Sequence, residues 1–413
     1  MVDQWLRKKF NSIISSIAFY PALLAAGFLL LSYVMLEIDF SEFGKDLKTR
    51  FTFFRLRDAA TARTITATIA GSVLSLTVFS FSMVMILLVQ AATNLSNRML
   101  DTMIGNRLQQ VILGFYIGTI VYALFILSTI RDIQSGINIP AISIYILIFL
   151  TIIDIFLFIY FLHYITDSVK YQTVINRIHQ KTMLSLRNEA EPEENLRFIR
   201  PPVDFQKNEI KVKAANYYQG FDHSKLLKHC HEQNYYIEIV EKLGKFLLKG
   251  EAIACLYSEK KLTMDEMNKV NSFFDFYHGQ PINVNADYGF NQITEIAIKA
   301  LSPGINDPGT AILSLEAIFD LLHFKLSHLE KNTSLDKENV VRILWHSKQF
   351  KELFRQSLIP IWEYGKNDYL VQHSISQLLL QLKSKSENHQ ETDLINQLYL
   401  ITSKKVSNNI LNN

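Results

Sequence analysis

Four long apolar stretches constrain this chain more than anything else in it: about Ile13–Leu36, Thr64–Ala92, Leu108–Ile130 and Ile139–His163. Each exceeds the roughly 20 residues that a helix needs to cross a hydrocarbon core about 30 Å thick. Apolar residues make up 49% of the 413 and mean hydropathy is slightly positive, +0.11, which makes membrane segments the first suspicion. Arg7, Lys8 and Lys9 precede the first stretch, as in a signal peptide. That stretch is too long for a signal h-region and no small-residue cleavage site closes it, so it reads as a retained helix. Four crossings put both termini on one side. Nine Lys and Arg residues flank the spans there, against seven on the other side, Lys48 among the seven. The asymmetry is slight and points to cytoplasmic termini.

Charge divides the chain differently from hydropathy. Residues 1–166 hold 12 Lys+Arg and 9 Asp+Glu, which leaves 30 of each for residues 167–413. A neutral, densely charged second half suits a soluble domain. A net charge of +3 gives no case for nucleic-acid binding. Cys230 and Cys255 could pair, but a domain of this size needs no disulfide, and a reducing compartment is the simpler reading. The fold class expected is a four-helix membrane region followed by a cytoplasmic α+β domain, a small β part and then a helical part. The divisions are 1–166 (transmembrane), 167–202 (helical linker continuing the fourth crossing), 203–262 (β-rich) and 263–413 (helical).

The second crossing carries a row of hydroxyls, Thr64, Thr68, Ser72, Ser75 and Ser82, at steps that place them on one helical face. The face extends toward Gln90 and Thr93 or Asn94. Two readings stay open: close packing of helices through small hydroxyl residues, and the lining of a polar path for a partly dehydrated ion. Asp154, in FLTIIDIFLFI, is the only acid well inside a span. A carboxylate there is expensive, so it either serves transport or gating or makes a structural hydrogen bond, for instance to that hydroxyl face. Gly114 and Gly118, in GFYIG, form a small-xxx-small pair that lets another helix approach closely.

In the second half, residues 208–258 read as β structure, and PINVNADYG reads as a short strand and turn. Thr263 and Glu266 form a capping box before a helical MDEMNKVNSFFDFY. Further helices are expected near 289–301, 308–330, 337–363, 368–384 and 391–405. The HCH at 229–231 is a poor metal site, because neighbours on a helix diverge by about 100° and no third ligand is suitably spaced.

ALSPGINDPGTA (300–311) bends the chain between two apolar periodic segments. Ser302–Ile305 has Pro303 and Gly304 where a type II turn wants them. Asp307 stands as N-cap with Pro308 at the first helical position, and Asn306 precedes it. The Asp307 carboxylate would occupy the free amides, so anion binding is not expected there. Neither Ser302 nor Asp307 has a histidine at catalytic spacing.

The run ADYGFNQITEIAIKALSPGINDPGTA (286–311) resembles the hallmark of a bacterial family of predicted membrane proteins, domain of unknown function 2254. YYQGFDHSKLLKHC (217–230) and FSFSMVMILLVQAATNLSNRML (79–100) are similar to two further segments of that family. The resemblance implies four membrane helices and a cytoplasmic domain, with no established activity. From the residues themselves we expect a homo-oligomeric, channel-like or transport-related membrane protein regulated by its cytoplasmic domain. Its surroundings would be a lipid bilayer and an ion, a solute or a protein partner. The alternative is a membrane-anchored sensor or scaffold. No cofactor, metal or enzymatic activity is expected, since no nucleophile–base pair or metal cluster appears.

Overall fold

The computed structural model describes residues 18–50, 56, 58–94, 107–130, 139–190, 201–328 and 332–411. The charges at Arg7, Lys8, Lys9, Arg98 and Arg131, the start of the first apolar stretch and most of EAEPEE lie outside the described residues, as do the side chains of Gln90, Thr93 and Asn94. The chain forms two compact units, residues 1–170 and 171–413.

Among the described residues of the first unit, four helices are long and apolar enough to cross a membrane. They are α1 (Phe19–Phe40), α3 (Ala59–Asn94), α4 (Arg107–Thr129) and α5 (Ala141–Ser168); a short α2 (Glu42–Arg50) follows α1. The central helix is α4, packed against α1, α3 and α5. Gly114 and Gly118 seat α1 on it. A Cβ at Gly118 would stand 2.7 Å from the Phe28 ring, and one at Gly114 would stand 2.7 Å from Leu24. Phe28 fills the space so made and meets Phe115 edge-on at 4.9 Å. Large apolar side chains cover the outside, among them Leu30, Leu74, Phe79, Phe149 and Phe156. Such a surface is stable against lipid and costly against water.

At one end of this unit, Asp39 and Lys48 form a pair that the sequence reading missed. The Lys48 ammonium lies 2.6 Å from the Asp39 carboxylate, and both side chains are fully enclosed. Lys48 also donates to the carbonyls of Asp39 and Ile139, both at 2.9 Å. Asp39 accepts from the Ile142 and Ser143 amides and from the Ser143 hydroxyl, at 3.2, 2.7 and 2.6 Å. An acid at the end of α1 therefore caps the start of α5, where the helix dipole favours a negative charge. Lys48, counted as a free loop charge on sequence, is a structural partner.

The fourth span does not run on as one helix. It ends at Ser168, and Val169 and Lys170 separate it from α6 (Tyr171–Glu189). Helix α6 belongs to the second unit, where it packs against α9 (Asp287–Ala300) and α10 (Pro308–Ser327).

That unit combines two small sheets with helices. The strands are β1 (Gln206–Lys211), β2 (Asn216–Phe221), β3 (Tyr236–Ile239), β4 (Phe246–Leu247), β5 (Ala252–Ser258), β6 (Phe274–Phe276), β7 (Thr333–Leu335) and β8 (Val341–Trp345). A five-stranded sheet runs β1-β5-β3-β8-β7, and a three-stranded one runs β4-β2-β6. All pairs are antiparallel except β3 with β8. The core between sheet and helix includes Ile210, Tyr218, Leu226, Ile237, Ile253 and Ile343. Remaining helices are α7 (His223–Gln233), α8 (Met264–Asn271), α11 (Phe350–Gly365), α12 (Tyr369–Lys383) and α13 (His389–Leu411).

Several local expectations are corrected. The supposed all-β stretch 208–258 contains α7, started by Asp222, which accepts from the Lys225 amide, and stopped by left-handed Asn234. Helix α8 ends at Asn271, and FDF pairs with β2 as a strand instead of prolonging the helix. PINVNADYG holds no strand. The helix expected over 337–363 begins only at Phe350, after the Gln349/Glu352 capping box. Val341–Trp345 is rich in β-branched and aromatic residues, and its ladder with β3 and β7 overrides helical spacing.

Candidate functional site

The hydroxyl row expected on α3 faces outward. Thr64, Thr68, Ser72, Ser75 and Ser82 are all exposed on the outside of the first unit, with Gly71 beside them open to space. The opposite side of α3 carries Ala62, Thr66, Val73 and Ser80, all buried. Thr64, Ser75 and Ser82 each donate to the carbonyl one turn back, at 2.8, 3.0 and 2.9 Å. A hydroxyl so engaged keeps its lone pairs available outward.

Asp154 points the other way, into the unit, and is fully buried. It is not bonded to the outward hydroxyl face. Its neighbours are Thr119 and Tyr116 of α4, with Ser80 of α3 next to Tyr116. Neither carboxylate oxygen of Asp154 has a hydrogen-bond partner, nor do the hydroxyls of Tyr116 and Ser80. The structure thus separates the membrane candidates into an outer polar face and an inner polar cluster. Ser80, Tyr116 and Thr119 escaped the sequence reading because a Ser, Tyr or Thr among apolar residues is common in membrane helices.

The run 300–311 has the N-cap at Asp307 but not the type II turn. Asp307 accepts from the Thr310 amide at 3.1 Å and from the Thr310 hydroxyl at 2.6 Å, and Pro308 opens α10. The left-handed residue is Asn306, φ 49°, and not Gly304. Ser302 holds the turn together: its carbonyl accepts from the Ile305 and Asn306 amides, and its hydroxyl donates to the Lys299 carbonyl. The Asp307 amide then closes on the Ala300 carbonyl at 2.8 Å. Pro303 and Gly304 are exposed. Tyr171 at the start of α6 is close enough to feel the Asp307 charge.

The preceding DYG carries a second constraint. A Cβ at Gly289 would fall 1.7 Å from the Thr182 hydroxyl, so only glycine lets α6 lie this close to α9. Asp287 is buried with Lys348 3.5 Å away, and Lys325 and Glu189 nearby. Burial pushes the carboxyls of Asp287 and Glu189 upward against the pull of these lysines, and pushes Lys325 downward. The two histidines of HCH diverge: His229 is buried against Tyr235 and Phe273, whereas His231 reaches Asp336 at 3.1 Å. Both cysteines are free, and burial pushes the Cys230 thiol up to about 12.

The model of one family, Predicted membrane protein (DUF2254), matches residues 14–381. The chain belongs to this family. Three relatives match at 24% identity over 324 residues, covering 76% of this chain and 60% of theirs. They are Uncharacterized protein MT1328 and Uncharacterized protein Rv1290c of two Mycobacterium tuberculosis strains, and Uncharacterized protein Mb1321c of Mycobacterium bovis. The chain therefore spans only 60% of the length of the relatives it matches. No solved structure matches. The matched span takes in the four apolar helices of this DUF2254 member, the DYG element and the whole ALSPGINDPGTA run.

Proposed function

We propose that this DUF2254 protein is a homo-oligomeric, channel-like membrane protein in which copies of α3 surround a shared polar path, regulated by the second unit. The observation that carries the reading is the outward exposure of Thr68, Ser72, Ser75 and Ser82, where a lone unit would present hydroxyls to lipid. Four helices are few for enclosing a path, and a symmetric ring supplies the missing walls. The slight charge asymmetry of the loops supports an inner-membrane protein with both termini and the second unit on the cytoplasmic side. Regulation is supported by chain order: α6 follows α5 after two residues, and its Thr182 packs directly on Gly289 of α9.

The second reading is a membrane-anchored sensor or scaffold without flux. It is favoured by the back-bonding of Thr64, Ser75 and Ser82, which lets these hydroxyls meet lipid or a neighbouring helix at small cost. In neither reading does the protein act as an enzyme.

Reconstituted liposomes test the choice. Wild-type protein is expected to pass ions, to run as an oligomer in native mass measurements, and to lose flux in a Ser72→Leu/Ser75→Leu variant, which removes hydroxyls and adds bulk. A strict monomer, or wild-type liposomes tight to common ions at every voltage and pH tried, would hand the protein to the scaffold reading.

A further inference from the structure

The inner cluster around Asp154 has features that neither packing nor anchoring requires. Asp154, Tyr116, Ser80 and Thr119 come from three different helices, and all four are shielded completely from the surroundings. A buried carboxylate in a helix bundle normally finds a cation or several donors, because isolating the charge costs many kcal/mol. Here it has neither. Among the described residues, α1 and α5 carry no Lys or Arg, α3 has none after Arg63, and α4 has none after Arg107. Lys48 is committed to Asp39, and Arg63 donates to the Ile130 carbonyl. His163 is exposed.

Thr119 stands close enough to act on the Asp154 carboxylate, but its hydroxyl proton is engaged elsewhere. Thr119 donates to the Phe115 carbonyl at 3.1 Å. Thr66, Ser75, Thr77 and Ser82 of α3 all bond back to their own helix, but Ser80 does not. The two Asp154 oxygens, the Tyr116 oxygen and the Ser80 oxygen are thus four neighbouring hard oxygens, none of them with a partner at hydrogen-bond geometry. Hard oxygen sets of this kind suit alkali and alkaline-earth ions. A single carboxylate matches one positive charge. A divalent ion would leave an uncompensated charge in the low-dielectric interior.

We propose that Asp154, Tyr116 and Ser80, with Thr119 beside them, form a binding site for a small monovalent cation of sodium type inside each chain. The site lies within one helical bundle, so it does not require the oligomer or the polar path of the preceding section. Loss of flux leaves it standing, and loss of the site leaves the outer face standing.

The test uses the full-length protein in detergent micelles, with sodium chloride as probe and choline chloride at equal ionic strength as control. Sodium is expected to raise the melting temperature progressively with its concentration, as a ligand of the folded state does, while choline does not. Radiolabelled sodium should be retained on equilibrium dialysis in proportion to protein. Asp154→Asn, which keeps the shape and removes the charge, should lose both signals. Tyr116→Phe and Ser80→Ala should weaken sodium binding while Asp154 remains, and they serve if Asp154→Asn does not fold. A melting temperature indifferent to sodium at neutral and alkaline pH overturns the proposal. So does a response to acid alone, or a sodium effect that survives in Asp154→Asn or stays at full affinity in both Tyr116→Phe and Ser80→Ala.

Discussion

Asp307 does at the residue scale what its sequence position implies. Its carboxylate satisfies the Thr310 amide at the start of α10, where four backbone donors would otherwise lack partners. Replacing it with Ala should lower stability by roughly 0.5–2 kcal/mol, and Asn or Ser should restore most of that. Thermal melts of the three variants check this; equal melting of Asp307→Ala and wild type would mean that the cap is not what this aspartate is for. Asn306 illustrates the opposite case. Its left-handed backbone, and the exposed, unconstrained Gly304 two residues earlier, reverse the roles that a Pro-Gly pair suggests. Turn type depends on where the chain must go next, and here it must close the Asp307 amide on Ala300.

At the scale of elements, the contact of α6 with α9 turns on one missing methyl. Gly289→Ala would drive a Cβ into the Thr182 side chain, where the hydroxyl and Cβ of Thr182 would be 1.7 and 2.7 Å away. Relief requires the helices to part, at a cost of roughly 1–3 kcal/mol. Gly304→Ala meets nothing within 4 Å and has no positive φ to lose, so it should melt with wild type. Melting curves of the two Ala variants side by side decide the matter, and parity between them would remove the packing explanation. Periodicity had shown that α9 is amphipathic. It could not show that Gly289, on the buried face with Ile293 and Ile296, meets a second helix, because α6 looked like a linker.

For the molecule as a whole, acid sensitivity should pass through Asp336. Burial raises its carboxyl, but Arg342 at 2.7 Å, His231, and the Val340 and Glu338 amides outweigh it and hold the group well below the ordinary carboxylate range. A carboxyl depressed in the folded state stabilises it at any pH above the unfolded value of about 3.9, and this support is lost as pH falls through that value toward the folded one. Asp336→Asn leaves the buried Arg342 without its counter-charge and should cost on the order of 3 kcal/mol at neutral pH. The gap to wild type should narrow below about pH 4, where Asp336 of the unfolded wild-type chain takes up a proton that the folded chain does not. Denaturant melts of both proteins across that range measure the gap; a constant difference would show that the charge of Asp336 is immaterial. The residue staples the β7–β8 hairpin to α7, and through β8 to the sheet.

What the sequence determined by itself was whatever is written locally: four spans long enough for a bilayer, the small-residue seat at Gly114 and Gly118, the caps at Thr263 and Asp307, and the boundary between an apolar and a charged half. These follow from length, spacing and side-chain chemistry, which need no distant partner. Tertiary structure alone decided which side of α3 faces out, that Asp154 faces Tyr116 instead of the outer hydroxyls, and that Asp39 meets Lys48 and the start of α5. It also decided that Val341–Trp345 becomes a strand between β3 and β7. In each of these the energy comes from a group far along the chain, a helix, a counter-charge or a ladder partner, and a local pattern holds no record of where that group will be.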